Sequence, residues 1–233
     1  MHGTREGQSA MHTSNNPPFV DRGDAGRQLA ERLLAYAGDS LMIFALPRGG
    51  VPVGAEIARS LEAPLEIIVS RKLGAPDQPE FGIGAVAPGG VRVLNERAVK
   101  ILGIQEDYVE RITERESAEV ERRLRLFRGD RPYPDLYGRT AILVDDGLAT
   151  GVTARAALHT LRIMQPEKLV LAVPVCAPQT AAPIRSEVDA LICVVAPTNL
   201  RAIGLWYENF EQVPDEEVIR LLEEARRRAK PET

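Results

Sequence analysis

Short apolar runs alternate along most of this chain with segments whose apolar residues recur at helical spacing. The apolar runs are typical of strands buried on both faces and lie at residues 41–46, 65–70, 140–146, 168–176 and 190–196. The intervening segments are predicted to be helices and cover about residues 21–38, 51–61, 153–161 and 179–186. This alternation predicts a doubly wound α/β fold with a mainly parallel sheet. Such sheets bind ligands at the carboxyl ends of their strands.

Two segments interrupt the alternation. Residues 81–95 have a Pro-Gly-Gly centre between two strand-like arms, which predicts an antiparallel hairpin. Residues 95–129 are strongly helical, and Ile104, Tyr108 and Ile112 recur near helical spacing. They predict a helical insert with one packed face. Its mixture of basic and acidic residues favours a solvated outer face over an RNA-binding one.

Composition limits the possible classes of function. Lys and Arg total 29 against 33 for Asp and Glu, and the formal net charge of −4 argues against a nucleic-acid partner. No apolar run approaches the roughly 20 residues of a membrane span, and the first twenty residues lack the apolar centre of a secretory signal. We therefore expect a cytoplasmic protein without a membrane partner. Cys176 and Cys193 lie in apolar runs, where buried free thiols are expected.

The stretch ILVDDGLATGVTA, residues 142–154, passes from a predicted strand through two aspartates into a predicted helix. After Asp145 and Asp146 comes a loop of small residues and threonines, namely Ala149, Thr150, Gly151, Val152 and Thr153. Unpaired N–H groups at a helix N-terminus form an anion site suited to a phosphate monoester. The nearby carboxylates can accept hydrogen bonds from a sugar diol or hold a hard cation. A ribose 5-phosphate with a free 2′,3′-diol satisfies both halves of this site.

Other phosphate, cofactor and catalytic motifs do not fit. Residues 49–56 have the glycine spacing of a nucleoside-triphosphatase loop, but they lack its Gly-Lys-Ser or Gly-Lys-Thr ending. A dinucleotide fingerprint hinted at by residues 82–87 is interrupted by Pro88, where its helix should begin. His159 is the only histidine outside the first 18 residues, and Gly-x-Ser-x-Gly is absent, which argues against a serine hydrolase.

VDDGLATGVT resembles the phosphoribosyl diphosphate (PRPP) signature of type I phosphoribosyltransferases, and the resemblance extends over most of the chain from Asp21 onward. It implies Mg²⁺-dependent transfer of the 5-phosphoribosyl group from PRPP to a nitrogenous base in nucleotide salvage, with release of pyrophosphate. Asp145 and Asp146 would act in catalysis, hold the ribose and bind Mg²⁺, directly or through water and ribose hydroxyls. The loop of residues 149–153 would bind the 5′-phosphate. The family also suggests a homodimer.

The resemblance assigns roles to two further loops. Residues 46–54 occupy the place where the family grips pyrophosphate, with Arg48, Gly49 and Gly50 as the matching residues. Residues 70–82 follow the second predicted strand, where the family has a mobile loop that closes over the reaction. Pro76, Asp77 and Pro79 suit a loop. The basic residues of this segment, Arg71 and Lys72, match those that the family directs at pyrophosphate during catalysis.

The same resemblance predicts one type I phosphoribosyltransferase domain over residues 19–233. The preceding residues 1–18 are polar and rich in Ser, Asn and Gly, which predicts a disordered tail. The insert at about 95–129 belongs to this domain, and residues of about 197–213 would supply a small hood over the base. Trp206 and Tyr207 are the candidates in this hood, because an aromatic ring can stack on an acceptor base.

One departure from the family pattern leaves the acceptor open. Ala149 stands where the 6-oxopurine enzymes have an aspartate, which argues against hypoxanthine or guanine and removes an obvious general base. An alternative is a regulatory protein that senses PRPP or a nucleotide without catalysis, with the mixed-charge insert as its partner-binding surface. Retention of Arg48, Arg71 and Lys72 favours an enzyme, since a sensor of nucleoside monophosphate has less need of a pyrophosphate grip.

Overall fold

The computed structural model describes residues 17–38 and 40–229, which form a parallel sheet, a separate antiparallel sheet and surrounding helices. The strands are β1 (Leu41–Ala45), β2 (Leu65–Ile67), β3 (Arg71–Ala75), β4 (Gln78–Ala87), β5 (Val91–Leu94), β6 (Thr140–Val144), β7 (Lys168–Val175) and β8 (Ala190–Val195). The helices are α1 (Arg22–Leu33), α2 (Gly50–Ser60), α3 (Glu96–Ile101), α4 (Glu106–Arg128), α5 (Val152–Ile163), α6 (Pro178–Ile184) and α7 (Asp215–Ala229). The predicted strands and helices are confirmed in type and order.

The five-stranded sheet has the order β2-β1-β6-β7-β8, and all neighbouring strands are parallel. Alternate residues of β1 enter two different cores. Ile43 packs with apolar residues of α1, α2 and α7, whereas Phe44 packs with those of α5 and α6. Because both faces are covered, the strands are mostly apolar rather than alternating between apolar and polar residues. The predicted doubly wound α/β fold is therefore confirmed.

The carboxyl ends of β1 and β6 lie side by side at one edge of this sheet. Ala45 pairs with Val144, and the Leu46 backbone N–H donates a hydrogen bond of 2.9 Å to the Val144 carbonyl. The segments at 46–54 and 145–153 thus leave the sheet as neighbours. Two stretches separated by about 100 residues of sequence are brought to one place by strand pairing alone.

The three-stranded sheet has the antiparallel order β3-β4-β5. The hairpin predicted around Pro-Gly-Gly is confirmed as β4 and β5, with Gly89 and Gly90 at φ of 75° and 76° in the turn. The prediction of a loop at 70–82 is wrong, because most of this segment belongs to β3 and β4. Pro76 and Asp77 form only the turn between these strands, and burial of Leu73 holds β3 against the core.

The helical insert is confirmed as α3 and α4, which are separated around Gly103 at φ of 62°. Ile112 and Val120 are buried where α4 packs on β3 and β4, so the predicted packed face is present. Charged residues on the opposite face pair along the helix, as between Arg111 and Asp107 at 2.7 Å. This pairing is typical of a solvated face.

The start of the described chain joins the C-terminal region. Phe19 forms a parallel bridge with Tyr207, and its carbonyl accepts a hydrogen bond of 2.9 Å from the Glu208 N–H. The predicted disordered tail at 1–18 lies outside the described residues except for 17 and 18. Among the described helices, none combines the length and apolar content needed to cross a membrane.

Candidate active site

The two aspartates directly follow β6 and lie against the loop that follows β1. The Asp145 carboxylate accepts a hydrogen bond of 2.9 Å through Oδ1 from the Asp146 backbone N–H. A Cβ at Gly50 would lie 2.7 Å from the Val144 carbonyl oxygen and 3.0 Å from the Asp145 Cα. A Cβ at Gly49 would overlap the Asp146 carboxylate. The two glycines therefore allow the Arg48-Gly49-Gly50 backbone to approach the acid pair.

Asp146 is held by residues from outside its own segment. The Arg22 Nε lies 2.9 Å from the Asp146 Oδ2 in a salt bridge whose two side chains are 11% and 17% exposed. The Tyr207 hydroxyl donates a hydrogen bond of 2.6 Å to the Asp146 backbone carbonyl. Side chain and backbone of Asp146 are thus fixed by different elements.

Burial shapes the electrostatics of the acid pair. It raises the pKa of the Asp145 carboxyl well above the usual range, and the neighbouring Asp146 charge raises it further. Burial also raises the pKa of Asp146, although the Arg22 guanidinium opposes this rise. Burial therefore disfavours the charged form most strongly at Asp145, which lacks the guanidinium contact of Asp146. A bound cation or sugar hydroxyls would favour the charged carboxylates.

The loop at 149–153 leads directly into α5. Gly151 is the N-cap in the left-handed region at φ of 73°, and no side chain caps this helix end. The N–H groups of the first turn have no carbonyl partner within the helix, so they remain available to an anion. From α6, the Thr180 hydroxyl donates a hydrogen bond of 2.5 Å to the Ala149 carbonyl and fixes the loop. Ala149 and Thr150 are exposed.

Arg48 lies at the start of the loop after β1, and the peptide bond between Pro47 and Arg48 is cis. Its guanidinium is 3.8 Å from the Asp215 carboxylate at the beginning of α7. Both side chains are about one-third exposed. The structure therefore brings Arg48 to the same edge of the sheet as the acid pair, with its charge directed toward the C-terminal helix.

Arg71 and Lys72 lie on β3 of the antiparallel sheet. The Arg71 Nε is 3.0 Å from the Glu116 carboxylate, which is 7% exposed and also accepts from Arg115 at 2.9 Å. A Cβ at Gly82 would be 3.1 Å from the Lys72 Cδ. Just before β3, the Ser70 hydroxyl donates a hydrogen bond of 3.0 Å to the Thr153 carbonyl. This bond ties the strand with the two basic residues to the first turn of α5.

The hood candidates lie in an aromatic cluster. Tyr207 is only 4% exposed, with its ring centroid 5.3 Å from that of Phe19 and 4.9 Å from that of Phe210. Trp206 is partly buried against the same cluster. Burial raises the pKa of Tyr207 well above its usual range, so its hydroxyl stays a hydrogen-bond donor. The Tyr207 ring thus has little surface left for stacking on a base.

Sequence reasoning missed three residues that support the site. Ile203 packs on the turn after the acid pair, because a Cβ at Gly147 would lie 2.5 Å from its Cδ1. Arg22 contacts Asp146 across 124 residues, and Glu116 contacts Arg71 across 45. An arginine at the start of a helix and a glutamate within a charged helix carry no local signal for these contacts.

The described residues contain no cluster of three or more His, Cys, Asp or Glu side chains that could hold a metal ion. The acid pair offers two carboxylates that could hold a metal together with ligands from a substrate or water. Mg²⁺ fits such a site, since it is commonly bound through one or two carboxylates together with substrate phosphates. Cys176 is buried and Cys193 half-buried, and both are free thiols as expected.

Several known proteins are similar to this chain in sequence or in fold. Two Mycobacterium tuberculosis sequences that carry the name phosphoribosyl transferase, from two strains, are each 44% identical over 209 residues, which are 90% of this chain and 47% of theirs. This chain thus spans about half the length of the curated relatives it matches. The crystal structure of TT1426 from Thermus thermophilus has a TM-score of 0.74 and 37% identity, covering 88% of this chain and 98% of that chain. The family model described as the phosphoribosyl transferase domain matches residues 21–208. The chain therefore belongs to the phosphoribosyl transferase domain family.

Proposed function

We propose that this protein transfers the 5-phosphoribosyl group from PRPP to a nitrogen of a base and releases pyrophosphate. The observation that carries the proposal is the meeting of three parts at one sheet edge. The acid pair Asp145 and Asp146 lies between the glycine loop after β1 and the uncapped start of α5. These parts suit the diol, the pyrophosphate and the 5′-phosphate of a single PRPP molecule.

The residues would act mainly by binding and electrostatics. Breaking the bond at C1 of the ribose develops positive charge on the sugar ring and negative charge on the leaving pyrophosphate. Asp145 and Asp146 would hold the diol and ease the positive charge, while Arg48 would stabilise the leaving anion. Backbone N–H groups and hydroxyls of residues 149–153 would anchor the 5′-phosphate.

Arg71 and Lys72 would assist at the pyrophosphate from β3. In the structure Arg71 faces Glu116, so its approach to pyrophosphate would require a change of this pair. The hairpin of β3 and β4 would exclude water from the reaction and so suppress hydrolysis of PRPP.

Magnesium is part of the proposal. When bound, Mg²⁺ would neutralise negative charge on the leaving pyrophosphate. Asp145 and Asp146 would hold it directly or through water. Burial raises the pKa of both carboxyl groups, so a bound cation and their charged form would favour each other.

The acceptor is left open within the class of nitrogenous bases. Ala149 provides no carboxylate beside the base, so the protein has no obvious general base at that point. We expect Trp206 and Ile203 to contribute to the hood, with Tyr207 supporting it from within. A cytoplasmic homodimer acting in nucleotide salvage remains our expectation.

A regulatory protein that senses PRPP or a nucleotide is the second candidate. One observation favours it: two of the cations assigned to pyrophosphate already face carboxylates, Arg48 at Asp215 and Arg71 at Glu116. A sensor needs no change of these pairs.

An assay of pyrophosphate release tests the proposal. PRPP and Mg²⁺ are supplied together with each member of a panel of purine and pyrimidine bases. We expect release that depends on one base, and we expect Asp146→Asn to remain folded while losing PRPP binding. The matched control is Asp107→Asn, an exposed carboxylate on α4, which should release pyrophosphate like the unmodified protein.

Two outcomes would change the conclusion. PRPP binding by calorimetry without release for any base would favour the sensor. Unchanged PRPP affinity in Asp146→Asn would remove the central assignment.

A further inference from the structure

The guanidinium of Arg22 connects three separate parts of the molecule. Its Nε donates to the Asp146 Oδ2 at 2.9 Å, and its Nη1 donates to the Glu211 backbone carbonyl at 2.8 Å. Its Cζ lies 3.8 Å from the centroid of the Phe210 ring. These contacts fix the guanidinium in one plane and one position. The pair with Asp146 is thus unlike an exposed ion pair, in which two mobile side chains contribute little.

The surroundings give the Asp146 carboxylate one orientation. Arg22 engages Oδ2, Gly49 lies against the same carboxylate, and Tyr207 holds the backbone carbonyl. The hydrogen bond from Arg22 is made to Oδ2, not to Oδ1. Arg22 therefore determines which carboxylate oxygen remains for a ligand.

Arginine suits this position better than lysine. A guanidinium can donate in two directions while its face lies on an aromatic ring, whereas an ammonium is a compact point charge. The directions here are toward Asp146 on one side and Glu211 on the other. The position of Arg22 is in turn set by the start of α1, where the Asp21 side chain caps the helix by accepting from the Asp24 N–H at 2.7 Å.

We propose that Arg22 is a positioning residue for ribose recognition, which acts through Asp146 by holding its carboxylate toward the 2′,3′-diol. The inference rests on the proposed function and extends it to a residue outside the PRPP signature. Because the same guanidinium contacts Phe210 and Glu211, it also links the segment after the hood aromatics to the acid pair. Two of the Arg22 nitrogens, Nε and Nη1, donate within the protein, so we assign the residue a supporting role rather than a ligand contact.

Discrimination between two sugar phosphates tests this role. The probes are ribose 5-phosphate and 2-deoxyribose 5-phosphate, and their dissociation constants are measured by calorimetry. We expect the unmodified protein to prefer ribose 5-phosphate about tenfold, the effect of one hydrogen bond to a charged group. Arg22→Gln should bring this preference close to one. Its affinity for the deoxy compound should change little, since the loop at 149–153 still binds the phosphate.

Arg27→Gln is the matched control on the same helix. Arg27 lies 3.6 Å from Asp24, and its side chain is about half exposed. Loss of its charge should leave the preference for ribose 5-phosphate unchanged. Arg22→Lys separates charge from geometry: it keeps the cation but should recover only part of the preference.

A double-mutant cycle shows whether Arg22 acts through Asp146. Asp146→Asn alone should reduce the preference to near one, and adding Arg22→Gln should reduce it no further. In the double variant both members of the Arg22–Asp146 pair lose their charge, so neither is left buried without the other. It therefore remains informative if Arg22→Gln alone fails to fold.

The outcomes separate this inference from the proposed function. A preference retained in Arg22→Gln, an equal loss for both sugar phosphates, or a further loss in the Asp146→Asn background would each overturn the positioning role. Base-dependent pyrophosphate release by the unmodified protein would leave the proposed function intact in all three cases. If the unmodified protein bound neither PRPP nor ribose 5-phosphate, the proposed function itself would fail, and the inference with it.

Discussion

Two arginine–carboxylate pairs lie beside the two sheets of this protein, and the proposed ligand group is the carboxylate in one pair and the arginine in the other. At the edge of the parallel sheet, the carboxylate of Asp146 is the proposed ligand group and Arg22 supports it. At the antiparallel sheet, the cation of Arg71 is the proposed ligand group and Glu116 supports it. Sequence motifs marked Asp146 and Arg71 but neither of their partners.

The pairs also differ in how freely they can change. Arg22 and Asp146 are both largely buried, and Arg22 has further contacts that fix it. In the second pair Glu116 is buried, but Arg71 is 36% exposed along its side chain. The comparison suggests a rigid site for the sugar beside a more adaptable site for the leaving group. The predictions below test this contrast.

The largest effect is expected for Gly49→Ala. The added methyl group would overlap the Asp146 carboxylate, so either the loop after β1 or the acid pair must move. Because a shift of about 1 Å in a catalytic site can cost roughly a hundredfold in rate, we expect at least that loss in pyrophosphate release.

Gly103→Ala is the control. Alanine is strained at the φ of 62° that Gly103 adopts, but its methyl group would meet no neighbour in the insert. It should lower the free energy of unfolding by about 1–2 kcal/mol without changing PRPP affinity. Normal turnover in Gly49→Ala would show that the sugar site is not rigid.

Glu116→Gln should have the next largest effect. It removes a buried charge that pairs with both Arg71 and Arg115, and we expect the free energy of unfolding to fall by about 1–2 kcal/mol. Urea unfolding measures the change, with the exposed Glu110→Gln on the same helix as its control. Equal stability of both variants would mean that Glu116 does not hold β3 to α4.

Asp145→Asn should raise stability while abolishing phosphoribosyl transfer. Burial raises the folded-state pKa of Asp145 above the unfolded value of about 3.9. The native state therefore binds more protons, and its stability falls as pH rises from the unfolded toward the folded pKa. The asparagine side chain lacks this dependence, so the gain in free energy of unfolding of Asp145→Asn over the unmodified protein should be larger at pH 8 than at pH 4.

Thermal unfolding at these two pH values measures the Asp145→Asn effect. A gain of about 1 kcal/mol in the free energy of unfolding corresponds to a rise in melting temperature of roughly 2–4 °C for a chain of this size. A melting temperature lower than that of the unmodified protein at pH 8 would show that the buried charge is already compensated without a ligand.

The smallest effect is expected for Arg111→Gln on the outer face of α4. Its guanidinium donates to Asp107 at 2.7 Å and holds the pKa of that carboxyl below its usual range. Both side chains are exposed, so solvent and salt screen the pair. NMR titration should show a rise in the Asp107 pKa without a measurable change in melting temperature. A loss of stability equal to that of Glu116→Gln would contradict the assignment of this face to solvent.

The sequence predicted those features whose signals are local. Strands such as β6 and β7 are continuous apolar runs, and the acid pair with its small-residue loop lies within a dozen positions. The error at 70–82 has a physical cause: Pro76 and Asp77 signalled a turn correctly, but the strands beside it depend on pairing with each other and with the core. Arg22 could not be predicted, because a contact across 124 residues arises only from the packing of α1 beside the parallel sheet.

The bridge between Phe19 and Tyr207 gives this protein a particular order of assembly on the ribosome. Phe19 is made almost 190 residues before its hydrogen-bonding partners at Trp206 and Glu208. At about 5–20 residues per second, the delay is roughly 10–40 s. The first described residues of the chain thus reach their places only after residues 206–208 have been made.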